Sequence, residues 1–269
     1  MPVVLHVKKP KRNLFSSLAD GLRAPFDAVG YTFSNKGYYF MLMLVFFING
    51  AILCGLVYLA FTRLYPVFSS FSPASEGWYM VIVRMITGSV ITLLTLFCAV
   101  ILYAFLGTLI SSPLLDAFSS STEKRLSGEK TGTGRLTYPF SEIARIFITF
   151  FRGIIAVVVA VVVLFPLNLI PFAGNLLYSV LALGAIGFFT GLPFYSYPLD
   201  RRSVESTSKM SLLWKYKWTV IGSGISFLIL SFIPLLGFMS HAFTSTGAAM
   251  LFREKILPYI EFTQNTDEK

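Results

Sequence analysis

The chain is 269 residues long, with 55% apolar and only 13% charged residues, about half the charged fraction of an average soluble domain. The apolar residues are concentrated in four long uncharged runs, which no globular core of this size needs. This composition excludes a disordered chain and an ordinary soluble enzyme, and it predicts an integral membrane protein.

The charge and the cysteines exclude further classes of partner. A net charge of +9 would indicate nucleic acid in a soluble protein, but here Lys and Arg border the apolar runs, so we interpret them as topology determinants and expect no nucleic acid. Cys54 and Cys98 lie inside apolar runs and form no metal-ligand spacing with His6 or His241, so we expect no metal and no cofactor. Residues 1–36 lack the pattern of a cleavable signal peptide, so the first span is expected to direct insertion.

The N-terminal segment predicts an amphipathic helix on the inner membrane surface, because apolar residues from Leu14 to Val29 share one helical stripe. Pro25 disfavours helical geometry at the residue before it, so a break is expected after Gly21-Leu22-Arg23. Free N–H groups of Gly21 and Leu22, with the Arg23 guanidinium, would form an oxyanion pocket. An arginine that contacts lipid phosphate is the alternative.

The first two apolar runs each predict one transmembrane helix. Residues 37–62 are uncharged and would span about 39 Å as a helix, more than the ~30 Å hydrocarbon layer. The second span is expected over 85–115, which ends near Pro113 and continues into a polar helix and loop over 116–152. Residues 63–84 would form the outer loop between the spans.

Prolines divide the third and fourth runs, and each run predicts a helical hairpin, over 153–199 and 218–252. Only 13 residues of the third run precede Pro166, and an arm this short cannot cross ~30 Å. The second arm, from Gly174 to Leu192 before Pro193, is closer to the length that a span needs. Both turns are uncharged and contain Ile-Pro-x-x-Gly, at 170–174 and 233–237. A loop outside the membrane would meet water, so these turns favour re-entrant hairpins, with six complete spans as the alternative.

The distribution of loop charge predicts the orientation. The segment 62–84 holds two Lys and Arg residues, against 20 in the other polar segments, namely 1–36, 116–152, 200–217 and 253–269. The positive-inside rule therefore puts both termini, the helix and loop 116–152, the loop 200–217 and the tail 256–269 in the cytosol.

Together these features predict an all-α integral membrane protein. It would consist of two long transmembrane helices, two re-entrant hairpins and the interfacial amphipathic helix within 1–36, with residues 37–255 as a single membrane domain.

Polar residues near the hairpin turns are candidates for a solute pathway: Asn168, Asn175 and His241. Helices that begin near Pro171 and Pro234 would point their positive ends into the membrane and favour an anion. Local capping is the alternative for the polar side chains. His241 could couple anion passage to a proton, or it could be a neutral imidazole bonded to a carbonyl.

Signals for an enzyme are weak. The Gly-Glu-Lys-Thr-Gly-Thr-Gly segment that begins at Gly128 lacks phosphate-loop spacing. No acid or nucleophile constellation is visible, so we expect no enzyme activity.

Three segments of the chain resemble the CysZ-type sulfate transporter family of bacterial inner membranes: FLGTLISSPLLDAFSSSTEKRLSG (105–128), FFTGLPFYSYPLDRR (188–202) and FIPLLGFMSHAFTSTGAAMLFREK (232–255). The resemblance extends from Ser17 to Lys255, and its most specific element is 195–200. It implies two long spans with two partly penetrating hairpins, homo-oligomers in lipid, and sulfate uptake for cysteine synthesis. Gly21-Leu22-Arg23 matches a Gly-Leu-Arg element that is associated with sulfate binding in this family.

Two other functions compete with sulfate uptake: transport of a different oxyanion, and a non-transporting scaffold that organises lipid. Because guanidinium and N–H donors accept many oxyanions, the sequence leaves the substrate open, as it does the choice between a channel and a proton-coupled carrier.

Overall fold

A computed structural model describes residues 3–7, 13–70, 78–128, 152–153, 155–171, 173–202, 204–233 and 236–264. In this part of the chain the structure is helical apart from a two-stranded antiparallel sheet, formed by β1 (Val3–Val7) and β2 (Ile260–Gln264). The sheet is the difference from the expected all-α class. It was missed because five-residue segments near the termini carry too few positions for a periodic signal.

The helices are, in chain order, α1 (Leu14–Ser34), α2 (Lys36–Leu59), α3 (Tyr65–Ser69), α4 (Trp78–Ser127), α5 (Ile155–Leu169), α6 (Gly174–Asp200), α7 (Ser206–Lys215), α8 (Lys217–Ser231) and α9 (Leu236–Leu251). A π-helical turn, Ala60–Leu64, joins α2 to α3, and a second one, Phe252–Ile256, follows α9. Short 3₁₀ turns are Phe165–Leu169, which ends α5, and Leu257–Tyr259.

Three helical stretches in the described residues are long and apolar enough to cross a membrane: Lys36–Val67, Val81–Ala99 and Gly174–Asp200. The first covers the span expected over 37–62, and the second lies in α4, with the span expected over 85–115. The third lies in the expected hairpin 153–199. By length and composition the chain is a helical membrane protein.

Helical structure extends into two segments that the sequence analysis assigned to loops. In the expected loop 63–84, helical residues continue to Ser69 and resume at Trp78. Arg63 does not end the helix, because a long arginine side chain reaches water from a helical surface. In the expected loop 200–217, α7 forms a helix of 10 residues.

Helix α6 is longer than the arm that the prolines suggested. It continues through Pro193 and Pro198 to Asp200, for 27 residues in total. Neighbouring helices and side chains commonly compensate for the backbone bonds that proline removes from a membrane helix.

The two Ile-Pro-x-x-Gly turns close with the same backbone hydrogen bond. The Gly174 N–H donates to the Ile170 carbonyl at 3.1 Å, and the Gly237 N–H donates to the Ile233 carbonyl at 2.8 Å. A Cβ atom on Gly174 would collide with a carbonyl of the preceding turn, and one on Gly237 would lie 2.8 Å from the Ser231 oxygen. Both turns therefore require glycine at this position, and the first and last residues of the repeat form the same backbone bond in each.

Contacts group the chain into two compact units. The large unit comprises Met1–Val45 and Pro113–Lys269, and the small unit comprises Phe46–Ser112. In the large unit α1 packs against α8 and α9, and α6 packs against α8. The assignment of 37–255 to one membrane domain stays a prediction.

Candidate functional site

The Arg23 side chain lines a cavity of about 210 Å³ in the large unit. One wall belongs to α1 and the other to the end of α9 and the π-helical turn after it. The lining residues are Asp20, Arg23, Ala24, Asp27, Met250, Leu251, Glu254 and Lys255. The cavity is a place where a small solute could contact the Arg23 guanidinium.

The expected break after Arg23 does not occur, and that prediction is wrong. Helix α1 is continuous, with Pro25 buried in its interior. Proline lacks an N–H group and so leaves the carbonyl of Gly21, four residues earlier, without its helical donor. The Ser223 hydroxyl of α8 donates to this oxygen at 3.2 Å, and Ser226 donates to the Leu22 carbonyl at 2.6 Å. Helix α8 therefore compensates for the proline, and no free N–H groups arise.

Gly21 serves helix packing and is not open to a solute. A Cβ atom on Gly21 would collide with the Thr219 carbonyl of α8, and one on Gly222 would collide with the Leu18 carbonyl of α1. Reciprocal glycines of this kind let two helix backbones approach closely. Of the three predicted binding residues, Gly21 is buried, Leu22 is half-buried and Arg23 is exposed.

Helix α1 packs against α8 and α9. Its buried face consists of small residues, Gly21, Ala24, Pro25, Ala28 and Thr32. The predicted apolar stripe is only partly exposed, since Leu14 is 41% exposed while Leu18, Leu22 and Val29 are half-buried. Contact of this stripe with the membrane surface stays a prediction.

Charges of both signs surround the cavity. Lys255 forms an ion pair with Asp20 at 2.5 Å, while Asp27 and Glu254 also line the wall. Within the described part of the chain, Arg23 forms no ion pair. Its guanidinium is therefore the group on this surface that could accept an oxyanion, against the repulsion of Asp27 and Glu254.

The structure does not join the predicted pathway residues into one site. Asn168 lies half-buried in the 3₁₀ turn that ends α5, and Asn175 lies exposed in the first turn of α6. The His241 ring on α9 packs edge-to-face on Phe227, with ring centroids 4.7 Å apart, and lies 6.1 Å from the Phe194 ring. No contact among the described residues links His241 to either asparagine. Pro234 lies outside the described residues.

The structure also brings together a cluster of polar side chains that no sequence pattern predicted. We call it the arginine cluster: Arg201, Arg202, Asp116, Ser119 and Glu123. Arg201 contacts all three groups on α4, because it pairs with Asp116 and donates to Ser119 at 2.9 Å and to Glu123 at 3.0 Å. Arg202 bonds Glu123 at 3.2 Å, and its guanidinium lies 5.0 Å from the centre of the Phe252 ring.

One signal could have revealed half of the arginine cluster. Asp116, Ser119 and Glu123 are three and seven positions apart, so they share one face of a helix. Nothing local indicated that this face meets Arg201, because the partners are 78 to 85 positions apart in sequence.

Tyr195 on α6 forms a hydrogen bond with a buried hydroxyl of α8. Its hydroxyl lies 2.8 Å from Ser223, the residue that also bonds the Gly21 carbonyl. At the other end of this element Asp200 pairs with Lys209 of α7. Residues 195–202 thus tie α6 to α1, α4, α7 and α8.

A family model described as "Sulfate transporter CysZ/Etoposide-induced protein 2.4" matches residues 24–240. The chain belongs to this family. A search of curated proteins found no match. The CysZ match covers α2 to α8 and the Tyr195 element, while Gly21, Leu22 and Arg23 lie just before it. The protein is therefore a membrane protein of a transporter family, which is not an enzyme class.

Proposed function

We propose that this protein carries sulfate, or a related tetrahedral oxyanion, across the bacterial cytoplasmic membrane and so supplies sulfur for cysteine synthesis. The family match over residues 24–240 is the observation that carries the proposal. Three apolar helices of sufficient length support it. Both termini lie in the cytosol in this proposal, as the charge bias predicts.

The proposed architecture keeps two long spans and two re-entrant hairpins. Helices α8 and α9 have 15 and 16 residues, fewer than the ~20 that a complete span needs. Their turn carries an exposed Phe232 (85%), which suits lipid better than water. Helix α6, with 27 residues, is the place where the six-span alternative is strongest.

Cysteine labelling distinguishes the two architectures. In a chain with Cys54 and Cys98 replaced by Ser, we expect cysteines at Leu169 and Phe232 to resist an impermeant maleimide that is added to intact cells. A cysteine at Ser70, in the proposed outer segment, is the positive control. Labelling at Leu169 or Phe232 as rapid as at Ser70 would establish complete spans.

In the proposed mechanism the Arg23 guanidinium holds the anion at the cytosolic end, without help from the N–H groups of Gly21 and Leu22. A hydrogen bond to a charged group contributes about 1.5–3 kcal/mol. We therefore expect Arg23→Gln to raise the sulfate KM for flux by about tenfold or more in vesicles that contain the pure protein.

Asp27 provides the matched control for Arg23. Because its carboxylate lines the same cavity and repels anions, Asp27→Asn should lower the sulfate KM, while Arg23→Gln raises it. Equal fluxes for both variants and the wild type would remove Arg23 from the site. No flux from the wild-type protein would favour the lipid-organising scaffold.

We propose a channel-like mechanism and not proton coupling. The His241 ring contacts two phenyl rings, and a positive charge there would lose its hydration. Sulfate flux should therefore respond to the sulfate gradient alone and be retained in His241→Asn. Flux driven by a pH gradient and lost in this variant would establish the proton-coupled carrier.

A further inference from the structure

The small unit contains a second cavity, of about 550 Å³, beside Arg84. Arg84 and Arg63 are the two basic residues of the small unit, and Glu76 is its one acidic residue. Arg84 lies three residues inside the apolar stretch Val81–Ala99. So close to the end of the stretch, the long side chain can carry its guanidinium to the membrane surface, where a solute could reach it.

The cavity is a shallow depression beside α4 that is open to its surroundings, and we call it the groove. Arg84, Gly88 and Thr92 are four positions apart and so lie on one face of the helix, with Ser89 next to them and Tyr65 of α3 opposite. A Cβ atom on Gly88 would meet no atom within 4 Å. The missing side chain of Gly88 therefore leaves open space between the guanidinium and the Thr92 hydroxyl.

The hydroxyl groups of the groove can turn to an anion at low cost. Ser89 donates to the Met85 carbonyl at 2.9 Å, and Thr92 donates to the Gly88 carbonyl at 2.8 Å. Each of these carbonyls already accepts the helical N–H four residues later. A hydroxyl that rotates toward a solute therefore leaves no carbonyl without a donor.

We propose that this groove binds a tetrahedral oxyanion through Arg84, with Ser89, Thr92 and Tyr65 as hydroxyl donors, and that it is the entry site on the outer side of the membrane. The assignment to the outer side rests on the proposed uptake function and on the charge bias of 62–84. An uptake protein needs an external contact for its solute, and Arg23 is at the cytosolic end in that proposal.

Sulfate titration of the purified protein in a phosphate-free maltoside detergent tests the groove directly. Arg84→Gln should weaken sulfate binding at one site by about tenfold or more, because it removes the charge-assisted bonds. Gly88→Leu should do the same by filling the groove, since its side chain enters open space and leucine is a good helix former.

Gly55→Leu is the matched control, because a Cβ atom on Gly55 also meets nothing within 4 Å and Gly55 does not line the groove. It should bind sulfate as the wild type does. If either Arg84→Gln or Gly88→Leu folds with the wild-type melting temperature and binds sulfate unchanged, the inference fails.

A lipid phosphate has the same chemistry as a free oxyanion, so a second pair of titrations compares nanodiscs of phosphatidylglycerol with nanodiscs of a phosphate-free galactolipid. Equal Arg84-dependent sulfate affinity in both supports a solute site. Binding in galactolipid that is lost in phosphatidylglycerol would assign the groove to lipid headgroups and overturn the proposal.

Flux measurements keep this inference separate from the proposed function. Sulfate uptake that is unaffected by Arg84→Gln would remove the entry site and leave transport intact. Arg84-dependent binding in a protein that shows no flux would end the transport proposal and leave the binding site.

Discussion

Several glycines of the large unit lie against the backbone of a neighbouring helix, and no described glycine of the small unit does. In the large unit, Cβ atoms on Gly21, Gly191 and Gly224 would collide with backbone atoms of neighbouring helices, whereas Gly50 and Gly55 of the small unit face open space. Within the small unit the α4 stretch Val81–Ala99 is the least buried, at 6% of its apolar window, against 22% in α6 and also 22% in Lys36–Val67, which the two units share. Close helix packing holds the large unit, while the small unit leaves most of its apolar surface for lipid or for other copies of the chain.

The largest expected effect is that of Gly224→Ala, because its Cβ atom would overlap the Gly187 carbonyl where α8 crosses α6. Overpacking against backbone costs about 3 kcal/mol. We expect the melting temperature in detergent to fall by about 6–12 °C. Gly184→Ala, on α6 but facing open space, should melt no lower than the wild type. If the two variants melted alike, close backbone contact would not distinguish the large unit.

A smaller effect is expected in the arginine cluster. Arg201→Gln leaves Asp116 and Glu123 without their shared partner in a partly buried place, at a cost of about 2 kcal/mol. Arg201→Lys keeps the charge but loses the planar fork whose two nitrogens reach different partners, so its melting temperature should lie between those of Arg201→Gln and the wild type.

Arg23→Gln provides the control for the arginine cluster, since Arg23 is exposed and forms no ion pair with the described residues. Its melting temperature should match that of the wild type. A loss of stability in Arg23→Gln as large as in Arg201→Gln would indicate that both arginines are structural.

The smallest effect should come from the small unit. The Asn49 amide donates to the Ser111 hydroxyl at 3.0 Å, from α2 to α4, and a hydrogen bond between membrane helices averages about 0.6 kcal/mol. A double-mutant cycle with Asn49→Leu and Ser111→Ala should give a coupling energy of this size. A coupling energy near that of the Gly224 contact would mean that the small unit is held as tightly as the large one.

The sequence allowed the membrane helices and the family to be predicted, but much less of the candidate site. Uncharged runs, prolines and the Ile-Pro-x-x-Gly repeat are local signals, and the turns at Gly174 and Gly237 follow from them. The break at Pro25 was predicted from local preference alone. It is absent because Ser223 and Ser226, about 200 positions later, bond the Gly21 and Leu22 carbonyls.

The arginine cluster is a second case in which local sequence did not predict the contacts. Its charges were visible in the sequence, as part of polar segments that border the apolar runs. Their pairing was not visible, because an ion pair depends on where the folded backbone brings two side chains and not on their separation along the chain.

The sequence by itself determined that this protein folds in a membrane, because long uncharged runs can fold only where lipid replaces water. The positions of lysine and arginine also favour one orientation. The tertiary structure decided the use of individual residues. It made Gly21 a contact between helices and left Arg23 exposed beside a cavity. It also opened a groove at Gly88, because packing between distant segments determines which groups remain available to a solute.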